Sequence, residues 1–127
     1  MPYSGPVPRL YHITTAHAWA MAQRAGSYGE STRGLSLAEV GFIHCSYAHQ
    51  VPRVADALYR GMSGLVLLVI DPGRLTAELR DEARDGPGER FPHVYGPLNL
   101  DAVVDVLPFE PAEDGRFRPP AALEAET

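Results

Sequence analysis

The chain has 127 residues, with 12 Gly, 12 Pro and one Cys; its 16 acidic residues outnumber 11 basic ones, all Arg, to leave a net charge of −5. The absence of Lys excludes Schiff-base chemistry and the lysine-dependent phosphate loop, and the negative total argues against broad binding to duplex nucleic acid. A single Cys allows neither an internal disulfide nor a cysteine metal cluster, and the length fits one small domain.

Residues 1–8, rich in Pro and Gly, read as a flexible lead-in without the basic and apolar regions of a secretion leader, so the cytoplasm is the expected compartment. Residues 9–14 alternate and predict a strand carrying Tyr11, His12 and Ile13. Thr14 or Thr15 then caps a helix to about Ala25, with Gly26 as its stop. Residues 27–34 read as a loop, followed by a helical turn in which Ser36 and Glu39 have capping-box spacing.

Residues 41–45 predict a second short strand, which Ser46 ends while capping a helix with an apolar face of Val51, Val54, Ala55 and Leu58. Pro52 is compatible with the first turn of that helix, and Gly61 closes it. The apolar run 65–70 has the look of a buried central strand; it is far shorter than the roughly twenty residues of a membrane helix, so no membrane association is expected. Asp71-Pro72-Gly73 turns the chain. A strand at 75–80, a flexible charged loop at 81–88, an extended segment at 91–95 and a last strand at 102–107 follow. From Pro108 onward the chain reads as a frayed end. The expectation is a single α+β domain over residues 9–109, with its two main helices in the N-terminal half, and a flexible tail over 110–127.

A local pattern recurs three times. His12-Ile13-Thr14, His44-Cys45-Ser46 and His93-Val94-Tyr95 each place a hydroxyl two residues after an imidazole. In a strand, residues i and i+2 share a face, so each triplet presents both groups together while Ile13, Cys45 or Val94 faces the core. This predicts strands lining a polar cleft over an apolar backing, although any one such histidine is more often structural. His17 and His49 lack the pattern and are expected on helix surfaces. Cys45 points away from His44 and reads as a buried small hydrophobe rather than a nucleophile. A zinc site from His12, His44 and His93 would need no further protein ligand, but nothing in the spacing supports it, and no metal is expected.

A second cluster packs Glu89, Arg90, Phe91, His93 and Tyr95 between Gly88 and Gly96, a density suited to a binding loop. Glu89 is the carboxylate this reading nominates for chemistry, the plainer alternative being a surface ion pair with an Arg.

Tyr11-His12-Ile13-Thr14, Gly41-Phe42-Ile43-His44-Cys45-Ser46, the run 65–72 ending in Asp71-Pro72, and Glu89-Arg90-Phe91-Pro92-His93-Val94-Tyr95-Gly96-Pro97-Leu98 follow in the order of the bacterial domain of unknown function family 952, which the chain resembles over roughly residues 10–107. That family is distantly similar to the ADP-ribosyltransferase superfamily, which includes the RNA 2′-phosphotransferases. The resemblance implies a small split-sheet fold binding NAD, as substrate, between two sheets. It implies that His12 and Thr14 hold a ribose, with His44 and Ser46 on a second strand. Glu89 or Arg90 would supply the later motif, and Tyr28 or Tyr95 would stack on nicotinamide or adenine beside His93. His12, His44 and Glu89 would then carry cleavage of the nicotinamide glycosidic bond, with ADP-ribose passing to an acceptor the sequence does not name. The Arg that precedes the histidine in the phosphotransferases is replaced here by Tyr11. Two alternatives stay open: a non-catalytic module binding a small nucleotide or another partner, and a two-histidine phosphoesterase using His12 and His44 as base and acid.

Overall fold

A computed structural model describes residues 8–83 and 88–120. The apolar run forms β6 (Leu65–Ile70), the centre of a three-stranded antiparallel sheet between β1 (Leu10–Thr15) and β10 (Val103–Phe109). Both faces of β6 are buried, which is why the run is apolar without alternation; each such side chain contributes about 1.5–3 kcal/mol relative to exposure.

On one face, Tyr11, Ile13, Leu67 and Val69 pack under α3 (Val51–Tyr59) through Val51, Ala55 and Tyr59. The buried stripe of that helix is thus turned one residue from expectation, ending on Tyr59 and leaving Leu58 exposed. On the other face, Leu10, Leu68 and Ile70 meet Ala22 of α1 (Ala16–Ala25), Tyr28, and a second sheet represented by Ile43, Cys45 and Val94. Helix α1 begins where Thr15 accepts a hydrogen bond from the Ala18 N–H at 2.9 Å. It ends on Gly26, whose φ of 91° is a left-handed conformation that Gly adopts without strain.

Residues 27–34, expected as a loop, instead hold β2 (Ser27–Tyr28) and β3 (Glu30–Thr32). Strands this short leave no periodic signal; β3 turns back on β4 (Leu35–Ser36) and β2 is held by β9 (Leu98–Asn99). The capping box of Ser36 and Glu39 is present and starts the single-turn α2 (Leu37–Val40). The second sheet has the order β5-β8-β7, from β5 (Ile43–His44), β7 (Glu78–Glu82) and β8 (Phe91–Tyr95). Strand β7 lies later than the expected 75–80 and takes in Asp81 and Glu82, because a charged edge strand is specified by its pairing with β8. Part of the loop expected at 81–88, residues 84–87, lies outside the described residues.

Ser46 does not cap a helix. Its backbone exchanges two hydrogen bonds of 2.8 Å with Tyr11, while Cys45 N–H donates to the Pro92 carbonyl, so residues 43–46 splice the two sheets together. Helix α3 is entered through a 3₁₀ turn at Ala48–Gln50, with Pro52 in its first turn. Pro108 lies inside β10; an edge strand tolerates the missing N–H, so the chain is ordered past the expected fraying point. Phe117 then folds back against Phe109, ring centroids 4.8 Å apart, and its N–H donates to Asp56. The expected lead-in up to residue 7 and the tail from residue 121 lie outside the described residues.

The architecture is a mixed helix and strand domain with split sheets and two main helices early in the chain. No described helix is long and apolar enough to cross a membrane.

Candidate functional site

His12 projects from β1 toward the second sheet and is 2% exposed. Its Nδ1 lies 2.7 Å from the His44 carbonyl, which can only accept, so Nδ1 carries the proton. Its Nε2 then accepts from the Tyr28 hydroxyl at 2.7 Å. Beyond Tyr28 sits Glu30, at 3.4 Å from that hydroxyl and 3.1 Å from the donating Thr14 hydroxyl. Burial drives the His12 pKa down to about 4 against the opposing carbonyl bond, so the ring is neutral near physiological pH. Burial first, then the negative charge of Glu30, pushes the Tyr28 phenol up.

At His12 the expected cleft is reduced to a small space shared with His44 and Ser46. Both nitrogens of His12 are committed inside the protein, and the face it shares with Thr14 is a second core. A ribose contact, a zinc bond or acid–base work by His12 would each require breaking one of these bonds. Tyr28, 1% exposed, has no face for a ligand to stack on. Ser46 and Thr14 are likewise buried. Cys45 is buried as expected, and desolvation pushes its thiol up to about 12, leaving it inert. His17 and His49 are exposed on helical turns.

The other two imidazoles do meet. His44 and His93 are direct register partners across β5 and β8, with ring centroids 5.6 Å apart. They line a hollow of about 170 Å³, and His44 also borders a smaller adjoining space that reaches His12 and Ser46. The floor adds Phe42, stacked on His93 at 4.0 Å, and Phe91, tilted against His44 at 5.1 Å. Opposite stand Ser31 and Thr32 of β3, while the exposed Leu35 and Leu58 form the rim. Ser31 donates its hydroxyl proton to the Phe42 carbonyl, fixing the hairpin over the floor.

His93 is held from behind. Its Nδ1 lies 3.0 Å from Glu82 Oε1, and the Tyr95 hydroxyl donates to the same oxygen. The Tyr95 bond, and after it the His93 bond, hold the Glu82 carboxyl below its ordinary range. The guanidinium of Arg80 lies 4.4 Å from the Tyr95 ring centroid and bonds Glu78. His93 and Tyr95 therefore share a face, as their spacing predicts, but Tyr95 serves Glu82 and lines neither hollow.

Glu89 and Arg90 are elsewhere. Glu89 forms a two-point ion pair with Arg53 and accepts from Gln50 at 2.9 Å; Arg53 chiefly, then Gln50, drops its pKa to about 2. Arg90 bonds Asp81 through side chain and carbonyl. Neither lines either of these two hollows, and both are engaged in surface ion pairs. Exposed pairs of this kind contribute little, and Glu89→Gln is expected to shift the melting temperature by no more than about 3 °C, as a thermal melt would show.

Sequence reasoning missed Glu30, Gln50, Glu82, Phe42, Ser31 and Thr32. For Glu82 a signal existed: Glu78, Arg80 and Glu82 alternate at strand spacing, which places three charges on one face. Among the described residues no group of three His, Cys, Asp or Glu side chains is arranged to hold a metal.

Comparison with known proteins bears on the fold. The family described as protein of unknown function DUF952 matches residues 13–106. No curated protein matches the chain. The crystal structure of protein CC0527 from Caulobacter crescentus superposes with a TM-score of 0.79 at 30% identity, covering 91% of this chain and 98% of that one. The solution structure of the same protein gives 0.71 at 32% identity, over 85% and 90% of the two chains.

Proposed function

The chain belongs to the DUF952 family of proteins of unknown function, which supplies a fold and no chemistry, and from the site itself we propose that it binds a small nucleotide of the NAD class. The ring end of that ligand occupies the hollow over β5 and β8. The observation that carries this reading is the meeting of His44 and His93 with two aromatic side chains and two hydroxyls around one recess. Apolar walls with a few convergent polar groups are the general make-up of a small-molecule site. At about 170 Å³ the recess is smaller than the roughly 300–1,000 Å³ that encloses a drug-sized ligand, so it accepts one ring and leaves the remainder outside.

The choice of nucleotide rests on the distant similarity to ADP-ribosyltransferases, which is part of this proposal. Binding, rather than ADP-ribosyl transfer, is what we carry forward. Cleavage of the glycosidic bond calls for a carboxylate at the reacting carbon. The nominated Glu89 is instead fastened to Arg53, and among the described residues no carboxylate lines the hollow.

Calorimetry with NAD, ADP-ribose and nicotinamide tests the reading. Wild-type protein is expected to bind NAD and nicotinamide. His44→Ala should weaken both at least about tenfold, equivalent to about 1.4 kcal/mol, and Glu89→Gln should leave both unchanged. No heat from any of the three ligands would reject the proposal.

A further inference from the structure

The carboxylate behind His93 fixes what the hollow can recognise. Glu82 Oε1 lies 3.0 Å from Nδ1, and the Tyr95 hydroxyl anchors the same oxygen from a second direction. An ionised carboxylate only accepts hydrogen bonds, so the proton between the two groups belongs to Nδ1. In the neutral ring the remaining nitrogen, Nε2, is then an acceptor with no proton to give. Phe42 stacked at 4.0 Å and the β5 register partner His44 leave the ring little freedom to turn over. The ring borders the hollow while only 1% exposed, so a ligand meets its edge and not its faces, and its neighbours there are mostly apolar.

We infer that this hollow selects a ligand group that donates an N–H or O–H, an amide or hydroxyl, and rejects the isosteric carboxylate. The inference rests on the proposed binding of a nucleotide ring end and narrows it to an amide-bearing ring. A carboxylate placed there would set its lone pairs against Nε2 with the negative charge of Glu82 directly behind. It would also lose water in a partly enclosed apolar recess. An amide instead donates to Nε2 and carries no charge to set against Glu82. Sites built to hydrogen-bond a donor discriminate strongly against analogues lacking it, because the site's own polar group is left unmatched.

The test uses the full chain at about pH 8. Nicotinamide and nicotinic acid, and then benzamide and benzoic acid, are titrated by calorimetry, and the ¹⁵N shifts of the His93 ring are recorded separately. The expected result is the Nδ1–H tautomer, with each amide bound at least about tenfold more tightly than its acid. Glu82→Gln can donate to Nδ1 and so move the ring proton to Nε2; the preference should then fall to about threefold or less. An Nε2–H or doubly protonated ring in the wild type overturns the inference without recourse to any variant. So does equal or tighter binding of the acids, or a preference unchanged in Glu82→Gln; in those cases nucleotide binding itself still stands. If no amide and no NAD binds, the nucleotide reading falls and the inference falls with it.

Discussion

His12→Ala is expected to cost about 4 kcal/mol of folding stability and to lower the melting temperature by about 15 °C, a large share of the 5–15 kcal/mol that holds a domain this size together. Two effects add. Removing a ring that is 2% exposed leaves a void between the sheets, and such truncations of large core side chains cost about 3–5 kcal/mol. The His44 carbonyl also loses its donor at 2.7 Å, and an enclosed carbonyl without a partner costs about 1–3 kcal/mol, offset where the void admits water. Tyr28 is less affected, since its hydroxyl can turn to Glu30. His12→Asn is the control: its amide N–H can reach the same carbonyl, and it is expected to recover roughly half of the loss. The bond links β1 to β5 and thereby sets the height of His44 over the hollow, so the Ala variant should bind ligand more weakly even where it remains folded. Denaturant unfolding measures the cost, and a loss below about 1 kcal/mol would show that the imidazole is a dispensable occupant of its space.

The sequence foretold those parts of the fold whose causes are local. Thr15 and Gly26 bracket α1, Ser36 and Glu39 open α2, and six consecutive apolar residues mark β6, because each signal lies within a few residues of the structure it makes. Strands β2 and β3 carried no such mark: Ser27 is extended because Asn99 comes to pair with it, and no window around residue 27 contains that information. The same limit applied to the site. Spacing placed His93 and Tyr95 on one face correctly, and it predicted that Cys45 and Val94 would face inward. It could not show that the face of His12 would be covered by Tyr28, since a strand has two faces and period alone does not say which meets solvent. Glu89 was singled out for the density of ionic groups around it, yet that density has its cause in Arg53 and Gln50 on a helix and a turn far back in the chain. Glu82, whose role is to hold His93, carried only the strand-spaced alternation of Glu78, Arg80 and Glu82, which does not say what lies across the strand.

Acidification is expected to unfold the wild type more readily than His12→Asn, and the size of that difference follows from one group. In the folded chain the His12 pKa is lowered from 6.5 to about 4 by burial. The unfolded chain therefore takes up a proton first as pH falls, and stability contributed by the neutral ring is complete above about pH 6.5 and drains away between 6.5 and about 4, where folded and unfolded chains are again equally protonated. At about 1.4 kcal/mol per pH unit the loss across that window is about 3 kcal/mol. Carboxylates held by partners, Glu82 and Asp71 among them, also lose stability on acidification, but over the lower range where they are protonated and equally in both proteins. Subtracting the Asn profile, which lacks the titrating ring, isolates the histidine. The expected result from urea titrations at about pH 7 and about pH 4 is a wild-type loss greater than that of the variant by about 3 kcal/mol. Parallel profiles would mean that His12 accepts a proton where it stands, by turning Nε2 from acceptor to donor toward the Tyr28 oxygen while that hydroxyl swings its own proton to Glu30. That outcome would make the Glu30–Tyr28–His12 chain a proton-tolerant connection from β3 and β2 to β1, and His44, hung from its far end, would keep its place in acid.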